Sequence, residues 1–443
     1  MTTTTPPEQA TTTLRDDSLN TTQMRRILAS SFLGSAIEFY DFLLYATAAA
    51  LVFGTVFFAD LGPGLAAFAS FGTLAAGYVA RPLGGALFGH FGDRMGRKTV
   101  LVVSMLTMGV ATTLIGLLPT TAQIGIAAPI LLIVLRVVQG IAVGGEWGGA
   151  VLMALEHAPA RKRGFAASFA NLGGPAGALL ATLAVAAVTL LPDDQFLAWG
   201  WRIPFLLSIV LVMVGMMVRL KVAETPLFQS LEQKAVSKKT PLLEVLTGYP
   251  RSLILALIAG TSVYTIQGLV TVWGVSHVVE MGADKTGVLN AKAIGAVTIL
   301  VTTVIGARLS DRFGRRPVML AGTVAAAVFA YPILLLIDSG TVWGFALAAI
   351  TAQAVQGIIF GPFGAFVAEL FPTRIRYTGA SLAFQSATTF GAGFTPAVAA
   401  GLMVLAGGNI MLVGVVWVLA FVVAAGAILM SREGRDRNLA DEA

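Results

Sequence analysis

A succession of apolar runs, each long enough to cross a bilayer, constrains this chain more than any other feature. The first, from Ile27 to Phe58, contains no charged side chain except Glu38 and Asp41. About 20 apolar residues in a helix cover the roughly 30 Å hydrocarbon core, and only a helix or a closed barrel satisfies its backbone there. The ten-residue alternation of barrel strands is not seen. Composition agrees, with 56% hydrophobic and 12% charged residues among 443 and a mean hydropathy of +0.82. The runs predict an all-α integral membrane protein with twelve transmembrane helices, over 27–57, 65–90, 98–118, 127–155, 164–191, 201–221, 251–279, 287–309, 317–337, 341–370, 377–405 and 409–430.

Residues 1–25, Thr-rich with Pro6 and Pro7, are expected to form a disordered tail. The first run is too long for a signal peptide and lacks a small-residue cleavage site after it, so it reads as an uncleaved span. Of 29 Lys and Arg, 24 fall in the tails, in loops after even-numbered spans or at the adjoining helix ends. The opposite loops carry mainly acids, among them Asp60, Asp194, Asp284 and Asp338. The positive-inside rule then places both termini in the cytoplasm of a multi-pass plasma (inner) membrane protein. Arg81, Arg136, Arg202, Lys285 and Lys292 are the cations that topology leaves over. The longest polar interruption, 222–250, reads as a cytoplasmic linker between six-helix bundles over 26–221 and 251–430, with a tail over 431–443.

Several functions are disfavoured at once. There is no cysteine, and the three histidines, His90, His157 and His277, are scattered, so no metal site and no bound cofactor is expected. Neither a Ser/His/Asp grouping nor a G-x-x-x-x-G-K-[ST] loop is present, which argues against a hydrolytic enzyme and an ATP-driven pump. The net charge of +6 follows from the basic loops and does not point to nucleic acid.

The two halves repeat. "GHFGDRMGRK" (89–98) stands between spans 2 and 3 and "GARLSDRFGRR" (306–316) between spans 8 and 9, with Asp93 and Asp311 218 positions apart. "RVVQG" in span 4 and "QAVQG" in span 10 lie 217 apart, and Glu156 with Arg163 corresponds to Glu369 with Arg376. Repeated six-helix halves are what parallel-repeat transporters contain. In each loop an acid can accept hydrogen bonds at a helix end, Gly permits a tight turn and the cations hold one side of the membrane. Asp93, Arg94, Gly96 and Arg97, with Asp311, Arg312, Gly314 and Arg315, are therefore candidates either for topological anchoring or for a gating latch. Glu156, Arg163, Glu369 and Arg376 join them as partners of the loop charges.

The duplicated loop resembles the signature of the major facilitator superfamily. "EFYDF" (38–42), "RPLGG" (81–85), "RVVQGIAVGGEWGG" (136–149), "ETPLF" (224–228) and "FPTRIRYTGAS" (371–381) are similar to its metabolite:proton symporters, the permeases of α-ketoglutarate, citrate, shikimate, proline and betaine. The resemblance covers about residues 26 to 430. It implies the major facilitator fold of two pseudo-symmetric six-helix bundles, alternating access, and proton coupling by the acid of the first helix. That role falls to Asp41 first and to Glu38 second.

Charges at mid-bilayer cost roughly 2.5 to 3.5 kcal/mol on insertion scales and usually face a bundle interior. At about 1.5 Å per residue, Asp41 lies roughly 22 Å from one end of span 1 and Arg136 roughly 14 Å from the opposite end of span 4, depths that allow an ion pair. Glu38 is one turn from Asp41. Two carboxylates this close repel when both are ionised, whereas a neighbouring Arg favours their charge. The site can hold one proton, or it can be a permanent ion pair that locks spans 1 and 4. Arg81 and Glu146 are placed to pair, either for packing and gating or for contact with substrate.

Tyr45 on span 1, Gln139 on span 4 and Gln356 on span 10 are further substrate-binding candidates, as are Tyr264, Gln267, Trp273 and His277 on span 7. Lys292 on span 8 either snorkels to the surface or meets an anionic solute. The glycines of span 4 and "NLGGPAG" (171–177), with Pro175 inside span 5, mark surfaces for close packing or sliding and a kink. Together these features lead us to expect a proton-coupled symporter taking up a small hydrophilic metabolite, most simply an organic acid and alternatively a zwitterionic osmolyte. A proton-independent exporter or exchanger would share nearly every feature. The expected partners are the metabolite, protons and the lipid bilayer, and the chain is expected to work as a monomer.

Overall fold

The computed structural model describes residues 21–61, 63–95, 97–188, 190–220 and 241–435. Most of the expected tail and linker, the "ETPLF" motif and Gly96 lie outside the described residues, as do residues 436–443. Within the described residues the chain forms twelve long helices: α1 (21–57), α2 (Pro63–Met95), α3 (Arg97–Leu117), α4 (Ala127–Glu156), α5 (Arg163–Val188), α6 (193–220), α7 (250–280), α8 (Lys285–Phe313), α9 (315–338), α10 (Val342–Glu369), α11 (376–405) and α12 (Met411–Met430). No strand occurs among them.

Helix ends follow local chemistry. Asp284 caps α8 by accepting from the Gly287 N–H at 2.6 Å, and Thr341 caps α10 through the Gly344 N–H at 3.0 Å. Gly314 separates α8 from α9 with a φ of 104°, a left-handed conformation that disfavours other residues. Nine of the helical stretches, together with α9, which bends by 45° at Phe329, are long and apolar enough to cross a membrane. The remaining two are α2, which carries Arg81 and Pro82, and α11, which is broken by a π turn over Thr389–Gly393.

Packing repeats as the sequence does. α1 lies on α5 as α7 lies on α11; α2 on α4 as α8 on α10; α3 on α4 and α6 as α9 on α10 and α12. The halves meet along α2 with α11 and α5 with α8. Irregularities repeat too, because the π turns Ala49–Phe53 in α1 and Gln267–Trp273 in α7 begin 218 positions apart. α5 runs on as helix through Pro175.

Burial sorts the helices by position. α10 is buried over nearly its whole length, as an all-round apolar central helix should be. α8 instead shows a stripe of exposed residues, Ile294, Val297, Val301 and Ile305, at the spacing of one lipid-facing side. Small residues let the inner helices touch backbone to backbone. A Cβ added at Gly84 would fall 2.0 Å from the Ile141 carbonyl oxygen, one at Gly144 2.3 Å from the Gly85 nitrogen, and one at Gly361 in the second half 2.4 Å from the Thr303 carbonyl oxygen.

Because backbone cannot yield as a side chain can, Gly144→Val should destabilise the protein by about 3 kcal/mol or more. The unfolding midpoint of purified protein measures this. Gly72→Ala, where a Cβ would meet nothing within 4 Å, should be tolerated under the same conditions.

Candidate functional site

Glu38 and Asp41, one turn apart on α1, are both buried, and the structure gives them different partners. Glu38 Oε1 accepts from Arg81 Nη2 at 2.9 Å, an ion pair between α1 and α2. Asp41 Oδ2 accepts from the Thr112 hydroxyl of α3 at 2.9 Å, while its Oδ1 has no hydrogen-bond partner. Gln139 Nε2 donates to the same hydroxyl at 2.6 Å, and Gln139 Oε1 accepts from Arg136 Nη1 at 3.2 Å. Asp41 and Arg136 are thus joined through Thr112 and Gln139, and the direct ion pair expected from their depths does not form. The reason is azimuthal: the Arg136 guanidinium lies over the rings of Phe42 and Tyr45, at 4.2 and 4.1 Å from their centroids, and keeps Nε and Nη2 unpartnered. Tyr45 is held in turn by a 2.6 Å hydrogen bond from its hydroxyl to Thr73.

Arg81 and Glu146, expected to pair, do not. Arg81 divides its fork between Glu38 and Gln385, whose Oε1 accepts from Nε at 2.8 Å across the boundary between the halves. Glu146 accepts from the Ser104 hydroxyl at 2.9 Å.

The second half contributes polar atoms of its own. Tyr264 on α7 is buried within electrostatic reach of Arg81 and Glu38, and its hydroxyl has no partner. Its ring packs edge-on against Phe360 and Phe384, with centroids 6.0 and 5.5 Å away. Gln356 on α10 is buried with Oε1 unpartnered. Gln267 begins the π turn of α7 and is half-buried. Lys292 is half-buried on the side of α8 away from the lipid-facing stripe, with no ion pair or hydrogen bond among the described residues. Trp273 and His277 form a separate unit further along α7. Their rings stack at 4.7 Å, and His277 Nε2 lies 3.2 Å from Asp338 Oδ1.

On the membrane face that carries the basic loops, charges bridge the halves. Asp311 accepts from the Gly164 and Phe165 N–H groups at the start of α5, both at 2.8 Å, where the helix dipole favours an anion. Arg315 donates to Asp311 at 2.6 Å and to Glu369 at 3.3 Å. Glu156 at the end of α4 meets Arg376 at the start of α11 at 3.4 Å. Arg163 lies in the fields of Glu369, Arg315 and Glu156. The Arg312 carbonyl accepts from Arg435 at 2.6 Å, and the Glu433 carboxylate caps the Arg315 and Arg316 N–H groups. Arg374, between α10 and α11, donates from Nε to Glu244 at 2.8 Å, and this bond holds its guanidinium above the ordinary pKa. Asp93, Arg94 and Arg97 stand at the α2–α3 junction, and their side chains fall outside the described residues.

Residues 27–253 match the family model for sugar (and other) transporters, and residues 293–440 match that of the Major Facilitator Superfamily. The chain belongs to the major facilitator superfamily. The inner membrane metabolite transport protein YhjE of Escherichia coli K12 is 42% identical over 387 residues, covering 85% of this chain and 87% of that protein. The shikimate transporter of the same strain is 36% identical over 425 residues, covering 95% and 97%. Among solved structures, the proton:xylose symporter XylE of E. coli superposes with a TM-score of 0.78 at 18% identity over 94% of this chain and 97% of that one, a likeness of fold. As a member of this superfamily the chain is a membrane transporter of metabolites and not an enzyme.

Three side chains of this facilitator site are absent from the sequence expectations. Thr112 gives no signal, since threonine is common in spans. Gln385 does, being an amide inside the otherwise weakly polar "SLAFQSATTF". Asn171 stands in a quoted motif, where it accepts from Trp147 Nε1 at 2.9 Å and donates to the Phe360 carbonyl of the other half at 2.6 Å.

Removing one partner of a buried ion cluster leaves uncompensated charge. Arg315→Ala, which takes from Asp311 and Glu369 the buried cation they share, should cost about 3 to 5 kcal/mol of stability. Adding Glu369→Gln should recover part of that loss, as a double-mutant cycle of thermal unfolding would show.

Proposed function

We propose that this transporter is a proton-coupled symporter that takes up a small organic acid, such as a di- or tricarboxylate or shikimate, across the inner membrane by alternating access. One observation carries the reading: buried polar atoms without hydrogen-bond partners come from both halves, namely Asp41 Oδ1, Arg136 Nε and Nη2, Tyr264 Oη and Gln356 Oε1. Each such atom costs about 1 to 3 kcal/mol, and more when charged. A hydrophilic solute lying between the halves would satisfy them together. An unpartnered guanidinium suits a carboxylate, which it can grip with two parallel hydrogen bonds, and Lys292 adds a second cation on the other half. Two solutes from the resemblance, proline and betaine, would bring a positive charge that balances their carboxylate.

Asp41 is the first choice for the proton and Glu38 the second. A carboxyl with one oxygen engaged by a hydroxyl and the other free can gain a proton without breaking an ion pair, whereas Glu38 must first release Arg81. Arg136 senses Asp41 through Thr112 and Gln139, so loss of the negative charge alters how the guanidinium is held and hence its readiness for an anion. The charged bridges on the basic face, assigned to the cytoplasm, would close that side and open it in turn. We take the working unit to be a monomer and the proton to be its coupling ion.

Uptake into proteoliposomes, measured for carboxylates, shikimate, betaine and amino acids, tests this. An inward proton gradient should drive accumulation of a carboxylate-bearing solute. Asp41→Asn should bring the accumulation ratio down to about one while solute exchange at equal concentrations persists, because binding is kept and only the coupling ion is lost. Accumulation by Asp41→Asn equal to that of the parent protein would sink the assignment, and uptake indifferent to the gradient would favour an exchanger.

A further inference from the structure

We propose that Gln385 is the positioning residue through which the charge on Glu38 governs contact between the two halves. The idea rests on the coupled-transport reading above and adds to it the route by which a proton in one half reaches the other.

The geometry is that of a relay. Within the first half Arg81 Nη2 donates to Glu38 at 2.9 Å, and Arg81 Nε donates to Gln385 Oε1 in the second half at 2.8 Å. Gln385 Nε2 returns to the first half, donating to the Val143 and Gly144 carbonyls of α4 at 3.1 and 3.3 Å. With its oxygen facing a guanidinium and its nitrogen facing two carbonyls, the amide has one workable orientation, since the flipped form would oppose donors to donors. All of these side chains are buried. A buried amide is costly unless fully bonded, so an apolar residue would pack here more simply if packing were its only task.

The surroundings make this bond a control point. Next to Gln385 on α11, Ser381 sits against Gly85 of α2 and Gly148 of α4, and Phe384 stacks on Trp147 at 3.5 Å. The seam also holds a hydrogen bond from the Thr389 hydroxyl of α11 to the Tyr78 carbonyl of α2 at 3.1 Å, and its other described contacts are small and aromatic. The ionisable groups around Glu38 are Arg81 and Tyr78 from α2, Tyr264 from α7, Arg136 from α4 and Asp41 on α1 itself. Among the described residues, Arg81 is the one whose hydrogen bonds join Glu38 to Gln385 of α11. When Glu38 is neutral, the guanidinium loses its charged anchor while remaining over Phe42, at 4.9 Å from the ring centroid, and Asp41 Oδ1 on the next turn has no donor. Arg81 then turns from Gln385, and the amide loses the partner that fixes it across the seam.

The chain contains no cysteine, so Ser381→Cys provides a single reporter at a buried position whose hydroxyl has no partner. In reconstituted protein, without solute and at equal pH on both sides, its alkylation by N-ethylmaleimide should be slow. Glu38→Gln and Gln385→Met should each speed it by about tenfold, the scale set by one hydrogen bond to a charged group. The two together should do no more than either alone. Gln385→Glu, which gives Arg81 a carboxylate on α11 but removes the donor to the Val143 and Gly144 carbonyls and so sets its own baseline rate, should show no further acceleration when Glu38→Gln is added, and this arm stands if the methionine variant does not fold. The proposal is overturned if Gln385→Met alkylates at the parent rate, or if Glu38→Gln accelerates the Gln385→Glu protein as much as the parent. No solute or gradient enters this measurement, so loss of coupled uptake and failure of the relay are separate results.

Discussion

The cost of charge inside a bilayer is the constraint to which the rest of this structure answers. Glu38, Asp41, Arg81 and Arg136 are all buried, and none can be left to water or lipid. Two solutions appear side by side. Glu38 and Arg81 neutralise one another directly. Asp41 and Arg136 are separated, one held by a hydroxyl and the other by aromatic faces and an amide, with a hydrogen-bonded chain between them. The first arrangement is tight and the second unfinished, and an unfinished electrostatic arrangement is the one that an incoming proton or anion can complete.

Close helix packing is what lets these charges sit in the interior. The glycines of α2 and α4 bring backbones together, so that the charged side chains of α1, α2 and α4 converge in the interior. The same economy recurs in the second half around α8 and α10. Its polar content differs, however: amides and a tyrosine replace the carboxylates, so the two halves share a scaffold while dividing the chemistry. The π turns at equivalent places in α1 and α7 belong to the shared scaffold.

Much of this was legible because it depends on one-dimensional quantities. Run length gives spans, and the offset between Asp93 and Asp311 gives the repeat. Depth along a helix was legible too, and it placed Asp41 near the level of Arg136. Which side chains actually touch was not, because contact depends on the rotation of each helix about its axis and on third parties. Thr112, a residue with no sequence signature, decides the partner of Asp41, and Arg81 finds Glu38 and Gln385 where linear reasoning favoured Glu146. His277 and Trp273 shared a span with Tyr264, yet their partner is Asp338 at the end of another helix.

The two bridging systems between the halves differ in a way that bears on how such a molecule moves. At the basic face the bridges are ionic and numerous, joining Asp311 to the start of α5 and Glu156 to Arg376, so they release only when several charges are rehydrated at once. Deeper in the membrane the second half's side of each bridge is neutral, namely Gln385, the Phe360 carbonyl that accepts from Asn171, and Phe384 stacked on Trp147. Neutral contacts part without leaving a charge behind in lipid, and they are within reach of the carboxylates of α1. Events at the carboxylates can therefore weaken the deep seam first, and water admitted there lowers the cost of opening the ionic bridges above it. Under the proposed alternating access, the order of opening would then follow from dielectric environment, with no need for a rigid lever between the two layers.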